Sequence, residues 1–173
     1  MTKRRILIPM IVILIVVVGA IMLIASPQEL PLIELEMREF GYNDSSGGPV
    51  LYARVGETLK INLFNAGVIE HEFMVVNNKD MSLKMMKNRI NDLQATNLSE
   101  EKQIENFHNM HHKMMVDMLS FSGSSIELLP GETRTIEIVV DRPGTFWYVC
   151  HQASSTFPEL HQDKGMFGKI IVE

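Results

Sequence analysis

The sequence contains one cysteine, Cys150, so the chain has no second thiol with which to form an intramolecular disulfide. A lone thiol in an oxidising compartment needs some protection. It is either buried as a small apolar side chain or held as a metal thiolate. A metal thiolate at Cys150 would require further metal ligands near it in the fold.

Positive charge is also scarce. The net charge is -5 at pH 7, and three of the cations (Lys3, Arg4 and Arg5) lie at the extreme N-terminus, so the rest of the chain is more acidic still. This balance argues against a nucleic acid partner. An acidic surface favours a protein partner with a basic docking patch, and we expect a redox partner of that kind.

A long stretch without charge follows these cations. Residues 6–25 contain no strongly polar side chain, and twenty helical residues span about 30 Å, the hydrocarbon thickness of a bilayer. A cleaved signal peptide is the alternative, but its apolar core is usually shorter, roughly 7–15 residues. The basic end at 1–5 predicts a cytoplasmic N-terminus. We therefore expect a single-pass anchor in cell-membrane lipid, a linker at 26–31 and an extracytoplasmic domain at 32–173.

Beyond the linker, short apolar stretches alternate with polar residues at period two, which is typical of half-buried strands. Turn signals such as Asn65-Ala66-Gly67 separate them. The predicted strands lie within 33–37, 51–55, 59–63, 73–76, 126–128, 136–140, 146–150 and 169–172. The pattern predicts an all-β domain, an antiparallel Greek-key sandwich or barrel.

One segment breaks the β pattern. Residues 79–120 contain no proline or glycine and show helical spacing, and Ser99 is a plausible N-cap before Glu100 and Glu101. We predict a helical hairpin inserted between two strands. It is rich in methionine and histidine: seven of the thirteen methionines and three of the six histidines lie between Met81 and Met118.

Three metal-ligating side chains lie close together near the C-terminus. Cys150 offers a thiolate, His161 an imidazole and Met166 a thioether, and His71 on an earlier strand supplies a second imidazole. A thiolate and two imidazoles with a weak axial thioether form the ligand set of blue-copper electron-transfer sites, because soft sulfur suits Cu(I) and imidazole suits both oxidation states.

With these residues in place, the sequence resembles the cupredoxin family, in particular the plastocyanin- and azurin-like copper proteins. The resemblance covers residues 32–78 and 123–173. It lies in Val55-Gly-Glu-Thr, in Asn65-Ala-Gly followed by His71-Glu-Phe, in Pro130-Gly-Glu-Thr, and in Cys150 followed by His161 and Met166. It implies a cupredoxin sandwich with one mononuclear copper, bound equatorially by His71, Cys150 and His161 and axially by Met166.

The spacing departs from the family at one point. Ten residues separate Cys150 from His161, whereas family members usually have only a few between these ligands. His151 is therefore an alternative to His161, although a residue adjacent to Cys150 would normally point to the opposite side of a strand.

The hairpin carries a second cluster of candidate ligands. On a helix, three i,i+4 pairs would share faces, and such pairs can chelate a soft cation such as Cu(I). The pairs are His108 with His112, His111 with Met115, and Met110 with Met114. The alternative is that the methionines pack the helices onto the sheet.

These observations favour an electron carrier that is not an enzyme, with one copper that cycles between two oxidation states. The alternative is copper binding for trafficking or storage, which would use both the cupredoxin site and the hairpin. A copper oxidase or reductase is a third possibility, since Cys150-His151 looks like half of the His-Cys-His arrangement of multicopper enzymes. The chain is poor in histidine for that role.

Overall fold

The structure is a computed structural model that describes residues 30–43, 47–153 and 156–173, without the side chains of residues 112 and 115–117. The compact unit runs from Pro31 to Glu173. The predicted cytoplasmic end, the anchor at 6–25 and most of the linker at 26–31 lie outside the described residues. Neither helix of the described part has the length and apolarity that crossing a bilayer requires.

Two sheets make up most of the described chain, and two helices are inserted after the fifth strand. The elements are β1 (Leu32–Arg38), β2 (Gly41–Tyr42), β3 (Val50–Ala53), β4 (Thr58–Asn65), β5 (His71–Val76), α1 (Lys79–Gln94), α2 (Glu100–Met118), β6 (Ser125–Leu128), β7 (Thr133–Val139), β8 (Gly144–Val149), a 3-10 helix (His161–Lys164) and β9 (Phe167–Val172). One sheet has the order β2-β1-β4-β7 and the other β3-β9-β8-β5-β6. The prediction of a mostly β domain with an inserted helical hairpin is confirmed.

The prediction of antiparallel pairing is wrong for two strand pairs. β1 pairs parallel with β4, with Leu35 opposite Leu63, and β3 pairs parallel with β9, with Leu51 opposite Ile170. The remaining pairs are antiparallel. A period-two pattern marks a half-buried strand whatever the direction of its neighbour, so the sequence pattern could not reveal these two pairings.

Alternate side chains of the two sheets form the main core. Leu35 and Met37 of β1 and Leu59, Ile61 and Leu63 of β4 point inward and are buried. β5 differs, because all six of its residues are buried. Its inner face belongs to the main core, whereas Met74 and Val76 pack with Val149 in a separate cluster that Met118 of α2 covers. Both faces of β5 are therefore buried.

The helical hairpin, α1 and α2, packs onto the loop that follows β8. The side chain of Asn78 caps α1 by accepting from the backbone N–H groups of Asp80 and Met81, each at 3.0 Å. An apolar cluster joins both helices to this loop through Met86, Ile90, Leu93, Phe107, Ala153 and Leu160. This packing brings residues of the hairpin close to the segment that carries Cys150 and His161.

Candidate metal centre

Three elements meet at one end of the sheet and bring the candidate ligands together. His71 is the first residue of β5, Cys150 directly follows β8, and His161 begins the 3-10 helix. Because β5 and β8 pair antiparallel, the start of one lies beside the end of the other. The backbone N–H of Cys150 donates to the carbonyl of Met166 at 3.1 Å, which joins the two ends of the loop between β8 and β9.

The donor atoms of His71, Cys150 and His161 face one another. Nδ1 of His71 lies 3.3 Å from Nδ1 of His161, and that atom lies 3.4 Å from Sγ of Cys150. All three side chains are buried, and one ligand atom from each lies within 4.8 Å of the others. A soft sulfur and two imidazole nitrogens in this arrangement fit copper, so the group is consistent with a copper site.

The loop before β5 is fixed by a buried carboxamide. Nδ2 of Asn65 donates to the carbonyls of Ile69 and Leu128 at 2.9 and 2.8 Å, and its Oδ1 accepts from the N–H of Gly67 at 3.0 Å. Every polar atom of the Asn65 side chain is thus used to hold the turn that leads into His71. The turn predicted from Asn65-Ala66-Gly67 is therefore part of the support of the candidate site.

Two neighbours cover the candidate ligands. The backbone N–H of Glu72 donates to Sγ of Cys150 at 3.3 Å. The ring of Phe40 packs edge-on against the ring of His161, with 5.4 Å between the ring centroids. Together with burial, these contacts restrict the positions of the sulfur and the second imidazole before any metal binds.

Burial also sets the protonation of the candidate ligands. It lowers the pKa of His71 and of His161 to about 4, so both imidazoles are neutral at pH 7, the form that coordinates a metal. Burial raises the pKa of the Cys150 thiol, and the charge of Glu72 raises it further. The metal-free thiol is therefore protonated, and a bound metal ion would displace its proton.

Met166 and His151 occupy different places relative to this group. Met166 is fully buried, and its N–H donates to the carbonyl of His161 at 3.1 Å, so it lies in the same corner of the fold. His151 is directed elsewhere: its Nε2 lies 3.2 Å from Oγ of Ser82 in α1. The structure therefore brings His161, and not His151, to His71 and Cys150.

A second buried group of possible ligands lies next to the first. It consists of Glu72, His111 and His151, and one ligand atom from each lies within 4.8 Å of the others. Nε2 of His111 is 3.3 Å from Oε2 of Glu72, and the same oxygen accepts from the backbone N–H of His151 at 3.3 Å. Glu72 was not among the predicted ligands, because its proximity to His111 and His151 arises only in the folded chain.

The charges in this group support one another. Burial alone would raise the pKa of Glu72, but the nearby His111 and His151 lower it overall. Burial alone would lower the pKa of His111, but the Glu72 carboxylate raises it above its usual value. For His151, burial prevails and lowers the pKa to about 4. The Glu72 carboxylate is therefore charged and faces His111.

The structure separates the methionine and histidine residues of the hairpin. His111 is turned toward Glu72 and His151, whereas Met110 and Met114 pack against the apolar cluster that joins the hairpin to the loop after β8. His108 is half-buried on the same helix. The side chains of His112 and Met115 lie outside the described part, so a separate Cu(I) site in the hairpin stays a prediction.

The two sheets form a cupredoxin-like fold, and His71, Cys150 and His161 meet in one corner of it. The sequence profile of a family described as multicopper oxidase matches residues 66–173, more than half of the chain. The chain therefore belongs to the multicopper oxidase family. Among curated proteins, none matches the chain significantly.

Two solved structures of auracyanins share the fold, and a nitrite reductase is a more distant match. Reduced auracyanin from the photosynthetic bacterium Roseiflexus castenholzii is 21% identical with a TM-score of 0.51, and the match covers 82% of this chain and 96% of that protein. Auracyanin B is 17% identical with a TM-score of 0.51, covering 84% and 92%. A copper-containing nitrite reductase from Thermus scotoductus SA-01 is 24% identical with a TM-score of 0.46, covering 82% of this chain and 27% of the reductase.

Proposed function

We propose that this protein is an extracytoplasmic electron carrier with one mononuclear blue copper site, held by His71, Cys150 and His161 with Met166 as the axial ligand. The observation that carries the proposal is the convergence of two imidazole nitrogens and a thiol sulfur in one buried corner of a cupredoxin-like fold. Copper in that corner would supply one-electron chemistry. The ligand types suit both of its oxidation states.

The residues around the ligands favour rapid exchange of a single electron. β5, β8 and the 3-10 helix hold the donor atoms in place, so little rearrangement is needed when the charge of the site changes. The neutral state of His71 and His161 keeps both imidazoles available at pH 7. Burial of all three side chains excludes water, which would otherwise compete for coordination. A site with these properties suits electron transfer better than substrate turnover.

The sequence supports a position for the carrier at the cell membrane. A single-pass anchor at residues 6–25 would hold the domain at the outer face of the cell membrane, next to membrane-bound redox partners. The acidic surface favours a partner with a basic docking patch, whose approach would be faster at low ionic strength. No enzymatic activity is part of this proposal, although the family to which the chain belongs is named for oxidases.

Copper storage or delivery through the hairpin has weaker support. Met110 and Met114 pack against apolar residues, and His111 is turned toward Glu72. These three residues therefore have structural partners other than a shared Cu(I) ion.

A redox titration of the full-length, copper-loaded chain tests the proposal. We expect reversible one-electron reduction and reoxidation with copper retained throughout, and electron exchange with a basic redox protein that slows as salt is added. The Cys150→Ser variant is the control and should show no such couple. Release of copper on reduction would favour the storage function, and catalytic oxidation or reduction of a small molecule would favour an enzyme.

A further inference from the structure

The second buried group consists of three polar side chains, Glu72, His111 and His151, in the interior of the domain. Glu72 and His151 are 0% exposed and His111 is 1% exposed. They come from three separate parts of the chain. Glu72 lies in β5, His111 in α2 of the hairpin, and His151 in the loop after β8. Charged and imidazole side chains are seldom fully buried unless they are paired or bind a metal.

The pairing within the group is incomplete. Oε1 of Glu72, Nδ1 of His151 and both ring nitrogens of His111 are buried without a hydrogen-bond partner in the described part of the chain. Each buried polar atom left unsatisfied costs about 1–3 kcal/mol. Such atoms are rare in folded proteins, and their concentration in three touching residues points to a missing cation, which would accept one lone pair from each residue.

A buried ion pair between Glu72 and His111 is the competing explanation. Oε2 of Glu72 approaches Nε2 of His111 to 3.3 Å, so these two atoms attract each other even though their geometry is not that of a hydrogen bond. The ion pair leaves Oε1 of Glu72 and Nδ1 of His151 without a role. A cation between the three residues would use these atoms as well.

Neighbouring residues hold the two imidazole rings and the backbone of Glu72, as supports of metal ligands do. Nε2 of His151 lies 3.2 Å from Oγ of Ser82, a contact that fixes its ring and leaves Nδ1 directed away from Ser82. The ring of His111 stacks on Phe107 with 5.8 Å between centroids. The hydroxyl of Tyr42 donates to the carbonyl of Glu72 at 3.1 Å.

The local charge also favours a cation. Glu127 of β6 lies directly opposite Glu72 in the strand pairing, and its negative charge acts on His111 as well. Like charges directly opposite each other on neighbouring strands are destabilising, and positive charge nearby offsets their repulsion. A divalent ion would supply that charge.

We propose that Glu72, His111 and His151 bind a divalent transition-metal ion, separately from His71, Cys150 and His161. Two imidazoles and one carboxylate are ligands that suit Zn²⁺ and Cu²⁺, and the absence of sulfur among them disfavours Cu(I). The hairpin thereby acquires a role, because α2 supplies one ligand and α1 supplies Ser82. The site uses residues of this chain alone.

The two groups of ligands are linked through Glu72 and Cys150. The backbone N–H of Glu72 donates to Sγ of Cys150, and His151 follows Cys150 directly in the chain. An ion on the Glu72 carboxylate would therefore alter the polarity around the sulfur. With copper in the first site, its visible absorption should shift when the second site fills.

Zinc binding to the full-length chain tests the proposal, because Zn²⁺ is colourless and leaves any copper absorption readable. Because Cu²⁺ also suits the second site, the chain is loaded with only one equivalent of copper, and we expect it to retain one equivalent of Zn²⁺ after dialysis. His111→Gln should lose this equivalent and keep its copper, and Ser82→Ala should bind Zn²⁺ about 10–100-fold more weakly. His108→Gln, on the same helix as His111, is the matched control and should retain the zinc.

Two further measurements guard against misfolded variants and against failure of the first site. X-ray absorption of the zinc in the copper-loaded wild-type chain should show nitrogen and oxygen ligands only. A Cys150→Ser chain should still bind one Zn²⁺ there, whether or not the wild-type chain proves to be a blue electron carrier. The proposal is overturned if the wild-type chain retains no Zn²⁺, if the zinc has a sulfur ligand, or if His111→Gln retains as much zinc as His108→Gln.

Discussion

The backbone N–H of Glu72 donates a hydrogen bond to Sγ of Cys150 across 3.3 Å. Glu72 is the residue after His71, so one short piece of β5 supplies both a candidate ligand and a donor to the sulfur of another. A hydrogen bond to the charged form of a group stabilises that form, and here it favours the thiolate that a metal requires. It offsets part of the burial that raises the pKa of the thiol.

Met166→Leu tests the axial ligand. Leucine has nearly the volume of methionine, so the substitution should cost less than about 1.5 kcal/mol of stability. We expect copper to stay bound and the reduction potential to rise, because the axial ligand tunes the potential of such a site. Met74→Leu, which changes an equally buried methionine in another cluster, is the control and should leave the potential unchanged.

Potentiometry of the three copper-loaded proteins makes the comparison. Loss of copper from Met166→Leu would contradict the assignment of a weak axial ligand. An unchanged potential would place Met166 among the ordinary core residues.

Acid should destabilise the metal-free chain. Burial lowers the pKa of His71, His151 and His161 to about 4, whereas an unfolded histidine titrates near about 6.5. Between these two pKa values the unfolded chain binds more protons than the folded chain. The free energy of unfolding that these neutral histidines contribute is therefore complete above about pH 6.5 and is lost as the pH falls toward 4. Each histidine contributes up to about 1.4 kcal/mol per pH unit.

Urea denaturation at several pH values measures this slope. His111 acts in the opposite sense, because Glu72 raises its pKa, and it offsets part of the effect. His151→Gln removes one of the three groups and should make the slope shallower. Stability that stays constant or increases on acidification below about pH 6.5 would show that these histidines are not held neutral in the folded state.

Much of the first candidate site could be predicted from the sequence because its signals are local. Cys150 is the only thiol, His161 and Met166 follow it within sixteen residues, and Asn65-Ala66-Gly67 marks the turn before His71. The hairpin was also predictable, since the 42 residues from 79 to 120 contain no proline or glycine and cannot easily form a series of short strands and turns. The structure places α1 and α2 within that segment.

The second group could not be predicted in this way, because its members are neighbours only in the folded chain. Helical spacing relates His111 to residues on its own helix, such as Met115, but the face of α2 that is buried depends on packing against the sheet. Glu72 lies in a strand buried on both faces, so strand alternation gave no reason to place its carboxylate inside. The two parallel strand pairs were missed because strand alternation does not reveal the direction of the neighbouring strand.

Gly67→Ala tests the fit of the turn against His71. A Cβ at this position would lie 2.9 Å from Nε2 of His71 and 2.6 Å from Oε1 of Glu39, so one or both must move. The exposed side chain of Glu39 can turn away, but the ring of His71 is held by β5 and by its contacts with His161. We expect a shifted copper absorption, weaker copper binding and a loss of about 1–3 kcal/mol of stability.

Glu39→Ala is the control for this variant. It removes the carboxylate without adding an atom near His71, so its copper absorption should stay close to that of the wild-type chain. If Glu39→Ala reproduced the effect of Gly67→Ala, displacement of Glu39, and not of the imidazole, would be the cause. A Gly67→Ala chain with unchanged absorption would show that His71 is not confined by the turn.

The visible spectrum of the full-length chain with and without the thiol tests the central claim most directly. Copper(II) added to the wild-type chain should produce an intense charge-transfer band at one copper per chain, because a thiolate and two imidazoles share the ion. Cys150→Ser should abolish the band, since a serine hydroxyl stays protonated and is a hard ligand. A colourless wild-type chain that has bound copper, or an intense band that survives Cys150→Ser, would contradict the account.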